Sequence, residues 1–197
     1  RLESVLAPHA IVATNTSGIP ITLLAQGQGE AFRRRFLGMH FFNPPRHLHL
    51  LELIPTADTA VEVVRAAEQF GERVLGKGVV VARDVPGFVA NRIGVFGMVQ
   101  AVKLMERFDL DIATVDALTG PFLGRPKSAT FRTADLTGLD VLGHVTGGLQ
   151  QATGEDVALP GWVGALVAQG SLGEKSGAGF YRKQGRTIET LDWKSGE

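Results

Sequence analysis

The sequence predicts an α/β sheet followed by an all-helical half. Three observations carry this. Short β-branched or apolar runs alternate with helix-length segments as far as about residue 82. At Asp84-Val85-Pro86-Gly87 the pattern changes, and no convincing strand follows until the end of the chain. The apolar fraction of 44% against 20% charged, over 197 residues, is that of a globular chain with ample length for a packed core.

Taken in order, residues 2–6 look like a helix in progress, so the chain reads as an excised, N-terminally truncated part of a longer one. Ala10-Ile11-Val12-Ala13-Thr14 is a strand, and Asn15-Thr16-Ser17-Gly18 supplies turn and cap residues after it. Residues 19–25 read as a short helix, and residues 36–42 and 48–54 as strands. Thr59 is positioned to cap a helix in which Val61, Val64, Ala67 and Phe70 recur at helical spacing. Gly76-Lys77-Gly78 ends that helix before the strand Val79-Val80-Val81-Ala82. Asp84 is then a candidate N-cap and Pro86 suits a first turn. The segment 88–105 is apolar almost all round, which predicts a buried central helix. Residues 111–118, 136–151 and 161–169 read as further helices, the middle one carrying Leu139, Leu142, Val145 and Leu149.

Composition removes several functions. Net charge is zero, and Arg33-Arg34-Arg35 lacks interleaved aromatics, so no nucleic-acid partner is expected. Asn91, Arg92, Gln100 and Lys103 interrupt the longest apolar stretch, which rules it out as a membrane span. The absence of cysteine excludes thiolate chemistry and fits a cytoplasmic location. No G-x-G-x-x-G, P-loop or G-x-S-x-G motif occurs.

The chemistry concentrates in Leu37-Gly38-Met39-His40-Phe41-Phe42-Asn43-Pro44 and in Glu52. Phe41, Phe42, Leu50, Leu51, Leu53 and Ile54 read as core, where a carboxylate is costly unless a donor meets it. His40 is the nearest partner, and a buried His–carboxylate pair is a general base. The competing reading is a core histidine bonded to backbone, with Glu52 at a wet strand edge. A metal set of His47, His49 and Glu52 is rejected, because on a strand residues 47 and 49 face away from 52. Ser17 follows the C-terminal end of a strand, where open α/β sheets bind ligands, but is equally an N-cap. Asn91 sits in the first turns of the long helix and, read alone, is a capping or helix-packing residue.

Taken together the motifs resemble those of the L-3-hydroxyacyl-CoA dehydrogenase family. They are Asn15-Thr16-Ser17, Gly38-Met39-His40-Phe41-Phe42-Asn43-Pro44, Leu51-Glu52, Asp84-Val85-Pro86-Gly87-Phe88-Val89-Ala90-Asn91-Arg92 and Gly173-Glu174-Lys175-Ser176-Gly177-Ala178-Gly179-Phe180-Tyr181. The resemblance implies a partial Rossmann-type NAD-binding domain over residues 1–85, whose glycine-rich half is missing. A helical dimerisation domain over 86–185 and a tail or linker over 186–197 would follow.

It further implies NAD-dependent oxidation of (S)-3-hydroxyacyl-CoA in fatty acid β-oxidation. His40 would be the general base, with Glu52 orienting it and stabilising its imidazolium. Ser17 and Asn91 would bind the reacting oxygen or the substrate carbonyl, and Asn43 would position the pair. Asn15, with Ser17, would lie on the nicotinamide side. The long segment 120–132 and the continuing tail resemble large proteins in which the dehydrogenase is fused to an enoyl-CoA hydratase. A homodimer through the helical domain is expected. Two alternatives stand beside this reading. One is a superfamily relative acting on a small hydroxy acid; the other is an isolated piece that is an inactive dimerisation or substrate-binding module.

Overall fold

The structure is a computed structural model that describes residues 5–196. The helix expected over residues 2–6 therefore falls mostly outside the described residues. The chain divides into two compact units, residues 1–91 and 92–197.

The first unit is built on a four-stranded sheet of β1 (Val12–Thr14), β2 (Phe36–Phe41), β3 (Leu50–Pro55) and β4 (Gly78–Val81), in that spatial order. β1 runs parallel to β2, β2 antiparallel to β3, and β3 parallel to β4. Helices α1 (Ile21–Ala25) and α2 (Glu30–Arg33) lie between β1 and β2, and α3 (Val61–Gln69) between β3 and β4. Strands covered on both faces read as near-continuous apolar runs, and β2 and β3 do so. Their alternation separates two clusters. Phe36 and Ile54 join Ile21, Ala25, Phe32, Ala82 and Phe88 on one face. Leu37, Leu51 and Leu53 join Val63 and Ala67 of α3 on the other.

Two local expectations are corrected here. Thr59 does not cap α3, whose N-cap is Ala60. Its hydroxyl donates instead to the Phe36 carbonyl at 2.7 Å, which ties the helix entry to β2. The buried face of α3 is Val63 and Ala67, while Val61 and Phe70 are exposed. The run Val61, Val64, Ala67, Phe70 thus drifted off the face that meets the sheet.

Helix α4 (Ala90–Arg107) starts at the end of the first unit and continues into the second. It is not buried all round. Val95, Val99, Val102 and Met105 form its core stripe, whereas Ile93, Phe96 and Leu104 are exposed within this chain. α5 (Ile112–Thr119) is capped by Asp111, whose carboxylate accepts the Thr114 amide at 2.7 Å. The expected helix 136–151 corresponds to the longer of two helices separated by a glycine. α6 (Phe131–Thr137) ends at Gly138, whose φ of 100° only glycine tolerates readily, and α7 (Leu139–Thr153) begins beyond it.

The sequence offered no sign of α6, because its start depends on a remote partner. Asp116 accepts the amides of Thr130, Phe131 and Arg132 at 2.7–3.1 Å. α8 (Gly161–Ala168) and a hairpin of β5 (Tyr181–Gln184) and β6 (Thr187–Thr190) complete the unit. Residues 186–197, read as a tail, therefore supply a strand. Beyond it Leu191 and Trp193 pack on the helical core, and the Trp193 indole donates to the Leu110 carbonyl at 2.9 Å. No helix among the described residues is long and apolar enough to cross a membrane.

Candidate functional site

The site forms where β2 and β3 run side by side. Their antiparallel register sets His40 directly opposite Glu52, so both side chains stand on the same face of the sheet. The His40 Nδ1 lies 2.7 Å from Glu52 Oε2, and the two residues are 4% and 0% exposed. A carboxylate so buried requires donors for both oxygens. Oε1 receives them from the amides of Val89 (3.0 Å) and Ala90 (2.8 Å), where α4 begins.

Those amides converge because the chain turns through two left-handed residues, Gly87 (φ 74°) and Phe88 (φ 45°), before the helix starts. Successive N–H groups at such a turn make an anion-binding concavity, and a helix N-terminus reinforces it. Phe88 holds a conformation that costs a non-glycine residue about 1–3 kcal/mol. It is 4% exposed, and its ring meets the imidazole edge-on at 5.5 Å, while Phe42 does so at 4.5 Å. The imidazole is thereby walled by two rings.

This network sets the tautomer. Oε1 acts as an acceptor toward both amides, and with the carboxylate ionised Oε2 accepts as well, so Nδ1 carries the proton and Nε2 is the basic nitrogen. Among the described residues no hydrogen bond reaches Nε2. It is not sealed off either, because among the described residues no buried side-chain nitrogen or oxygen lacks a partner. The arrangement is able to take a proton from a hydroxyl presented at Nε2 and to hold the resulting imidazolium against a fixed carboxylate.

The other expected residues lie on neighbouring segments of the chain. Asn15, at the C-terminal end of β1, accepts the Phe41 amide through Oδ1 at 2.8 Å, which ties it to the residue after His40. Ser17 is exposed in the following loop and is not an N-cap; α1 has Pro20 in that position. Asn43 is exposed immediately after β2 and precedes Pro44 through a cis peptide bond. Asn91 is half-buried in the first turn of α4, next to the amide that binds Glu52. His47 and His49 fall in the β2–β3 connection rather than on β3.

Asp84 does not cap the long helix. Its two carboxylate oxygens accept the amides of Ile21 (2.8 Å) and Thr22 (2.7 Å), at the start of α1. Glu52 has taken the cap of α4 in its place. Sequence reasoning missed the Val89 and Ala90 amides and the role of Phe88. Pro86-Gly87 ahead of the helix was the available signal, since glycine there permits the left-handed turn.

Comparison with known proteins agrees over both units. A family model described as 3-hydroxyacyl-CoA dehydrogenase, NAD binding domain, matches residues 1–85, and that family's C-terminal domain matches residues 87–183. A Deinococcus radiodurans protein named probable 3-hydroxyacyl-CoA dehydrogenase is 56% identical over 185 residues, covering 93% of this chain and 54% of its own length. Among solved structures, M. tuberculosis FadB2 superposes with a TM-score of 0.81 at 35% identity, covering 91% of this chain and 62% of its own. The (S)-3-hydroxybutyryl-CoA dehydrogenase PaaH1 from Ralstonia eutropha follows with 0.80 at 30%, covering 90% and 62%. The chain spans about half the length of the Deinococcus relative.

Proposed function

Because the chain belongs to the 3-hydroxyacyl-CoA dehydrogenase family, we propose that it carries the general base of an NAD-dependent oxidation of (S)-3-hydroxyacyl-CoA to 3-oxoacyl-CoA. The observation that supports this reading most directly is the buried His40–Glu52 pair with Nε2 left to the surface.

In this proposal Nε2 of His40 accepts the proton of the substrate's 3-hydroxyl. Glu52 keeps the ring in the required tautomer and faces the imidazolium that forms. Fixed in advance by two backbone amides, it needs no reorganisation during the reaction. Phe42 and Phe88 wall the imidazole on two sides and leave Nε2 open. Ser17 and Asn91 bind the reacting oxygen or the substrate carbonyl, and Asn43 positions the substrate beside the pair.

The residues fit the nicotinamide end of the cofactor. Asn15 and Ser17 follow β1 at the carboxyl end of two parallel strands, where open α/β sheets bind their ligands. When bound, NAD supplies the acceptor for the hydride that leaves C3. The exposed stripe Ile93, Phe96 and Leu104 of α4 suits contact with a second copy, in keeping with a homodimer. A role in fatty acid β-oxidation follows from the proposed substrate.

The test is His40→Gln in the full-length protein, assayed with 3-hydroxybutyryl-CoA and NAD. Turnover should fall about 10²- to 10⁴-fold, the span for a lost general base. KM should change less, because the ring is assigned to proton transfer rather than to binding. Near-parental turnover would remove the proposed mechanism.

A further inference from the structure

We propose that Asp84 is a positioning residue that holds the Asn15–Ser17 loop in register with the His40–Glu52 pair. The inference rests on the function proposed above, in which that loop meets cofactor and substrate. The contacts run across 62 and 63 residues of sequence: Oδ1 accepts the Ile21 amide at 2.8 Å and Oδ2 the Thr22 amide at 2.7 Å. α1 has only five residues and no capping side chain of its own, so it is too short to persist unaided. Asp84 supplies the missing acceptors.

What α1 holds is specific. Ile21 is fully buried and presses on β2 at Gly38, two residues before His40; a Cβ on Gly38 would meet Ile21 Cδ1 at 2.9 Å. At the other end of the loop, Asn15 is fastened to the Phe41 amide, one residue after His40. Ser17 therefore lies on a short span whose two ends are pinned to β2 on either side of the histidine. Asp84 secures the far pin. It also opens the turn that continues through Gly87 and Phe88 to the amides of Val89 and Ala90, which grip Glu52. One carboxylate thus links the loop offered to ligands with the turn that orients the acid of the pair, without touching either His40 or Glu52.

The experiment compares Asp84→Ala and Asp84→Asn with the parent in the full-length protein. Separate KM values for NAD and for 3-hydroxybutyryl-CoA are measured, together with kcat against pH and a thermal melt. Charge-assisted bonds to two amides are lost in the alanine variant, so KM for at least one ligand should rise about tenfold. kcat at saturation should fall less, and the shape of its pH profile should not move, because Asp84 does not contact the imidazole. Asp84→Asn retains one acceptor oxygen and should fall between. A lower kcat and Tm with both KM values unchanged would overturn the proposal, since that is the signature of less folded enzyme. His40→Gln, run alongside, separates the two ideas. If it is fully active, the assigned chemistry has failed whatever Asp84 does. If it is inactive while Asp84→Ala keeps parental KM values, only the positioning role has failed.

Discussion

Replacing Glu52 by Gln and by Leu separates its two duties. In the glutamine variant the side-chain carbonyl still accepts the Val89 and Ala90 amides, so the amide nitrogen is turned toward His40 Nδ1. Two donors then face each other unless the imidazole moves its proton to Nε2. The ring is expected to do so, which leaves Nε2 protonated and useless as a base. The stability cost should be small, about 1 kcal/mol, because every buried group finds a partner again.

Turnover should nonetheless fall by about 10²- to 10⁴-fold. Leucine removes the acceptor altogether and strands three donors around a fully buried position. At about 1–3 kcal/mol for each orphaned group, less what water recovers at the partly exposed Val89, the loss is about 3–5 kcal/mol. The assays are urea denaturation for stability, kcat in the full-length protein, and ¹⁵N NMR of the imidazole for the tautomer. A glutamine variant that retains the Nδ1–H tautomer and near-parental turnover would refute the reasoning.

Two further outcomes test one close contact in the first unit and one helix cap in the second. Gly38→Ala should destabilise by about 1–3 kcal/mol, since its Cβ would lie 2.9 Å from Ile21 Cδ1 and 3.1 Å from Ile54 Cβ; unfolding of a Gly38→Ala/Ile21→Val double variant should show part of that cost returned. Asp111 is held below the ordinary carboxylate range, chiefly by its bond from the Thr114 amide and then by the Thr114 hydroxyl. A depressed carboxyl stabilises the fold above its unfolded value and loses that contribution as pH falls through the folded one. Asp111→Ala should therefore cost about 1 kcal/mol at neutral pH. In melts taken as pH drops below about 4, that difference should shrink; a difference independent of pH would contradict the assignment.

Much of the first unit was legible because its strands are short, apolar and separated by strong turn residues. Every expected strand there has a counterpart in β1 to β4, shifted by a residue or two at the ends. The meeting of His40 and Glu52 was legible for a different reason: an acid placed among Leu51, Leu53 and Ile54 demands a donor, and few donors were near. Three errors share one origin. Thr59 and Asp84 were read from residues close by in sequence and the start of α6 was missed, because the bonds that decide their roles go to remote partners. Helix α4 misled through composition alone, since apolar residues on every side do not reveal which stripe a core will cover.

Residue order by itself determined which strands the first unit has, the α/β-then-helical arrangement and the presence of an acid needing a partner, because periodicity and burial cost act over neighbouring residues. Only the tertiary structure decided that Glu52 faces His40 in register, that it caps α4, and that Asp84 serves α1. Those depend on strand pairing and on a left-handed turn at Gly87 and Phe88, and a carboxylate bonds to whichever free amide the fold brings within 3 Å.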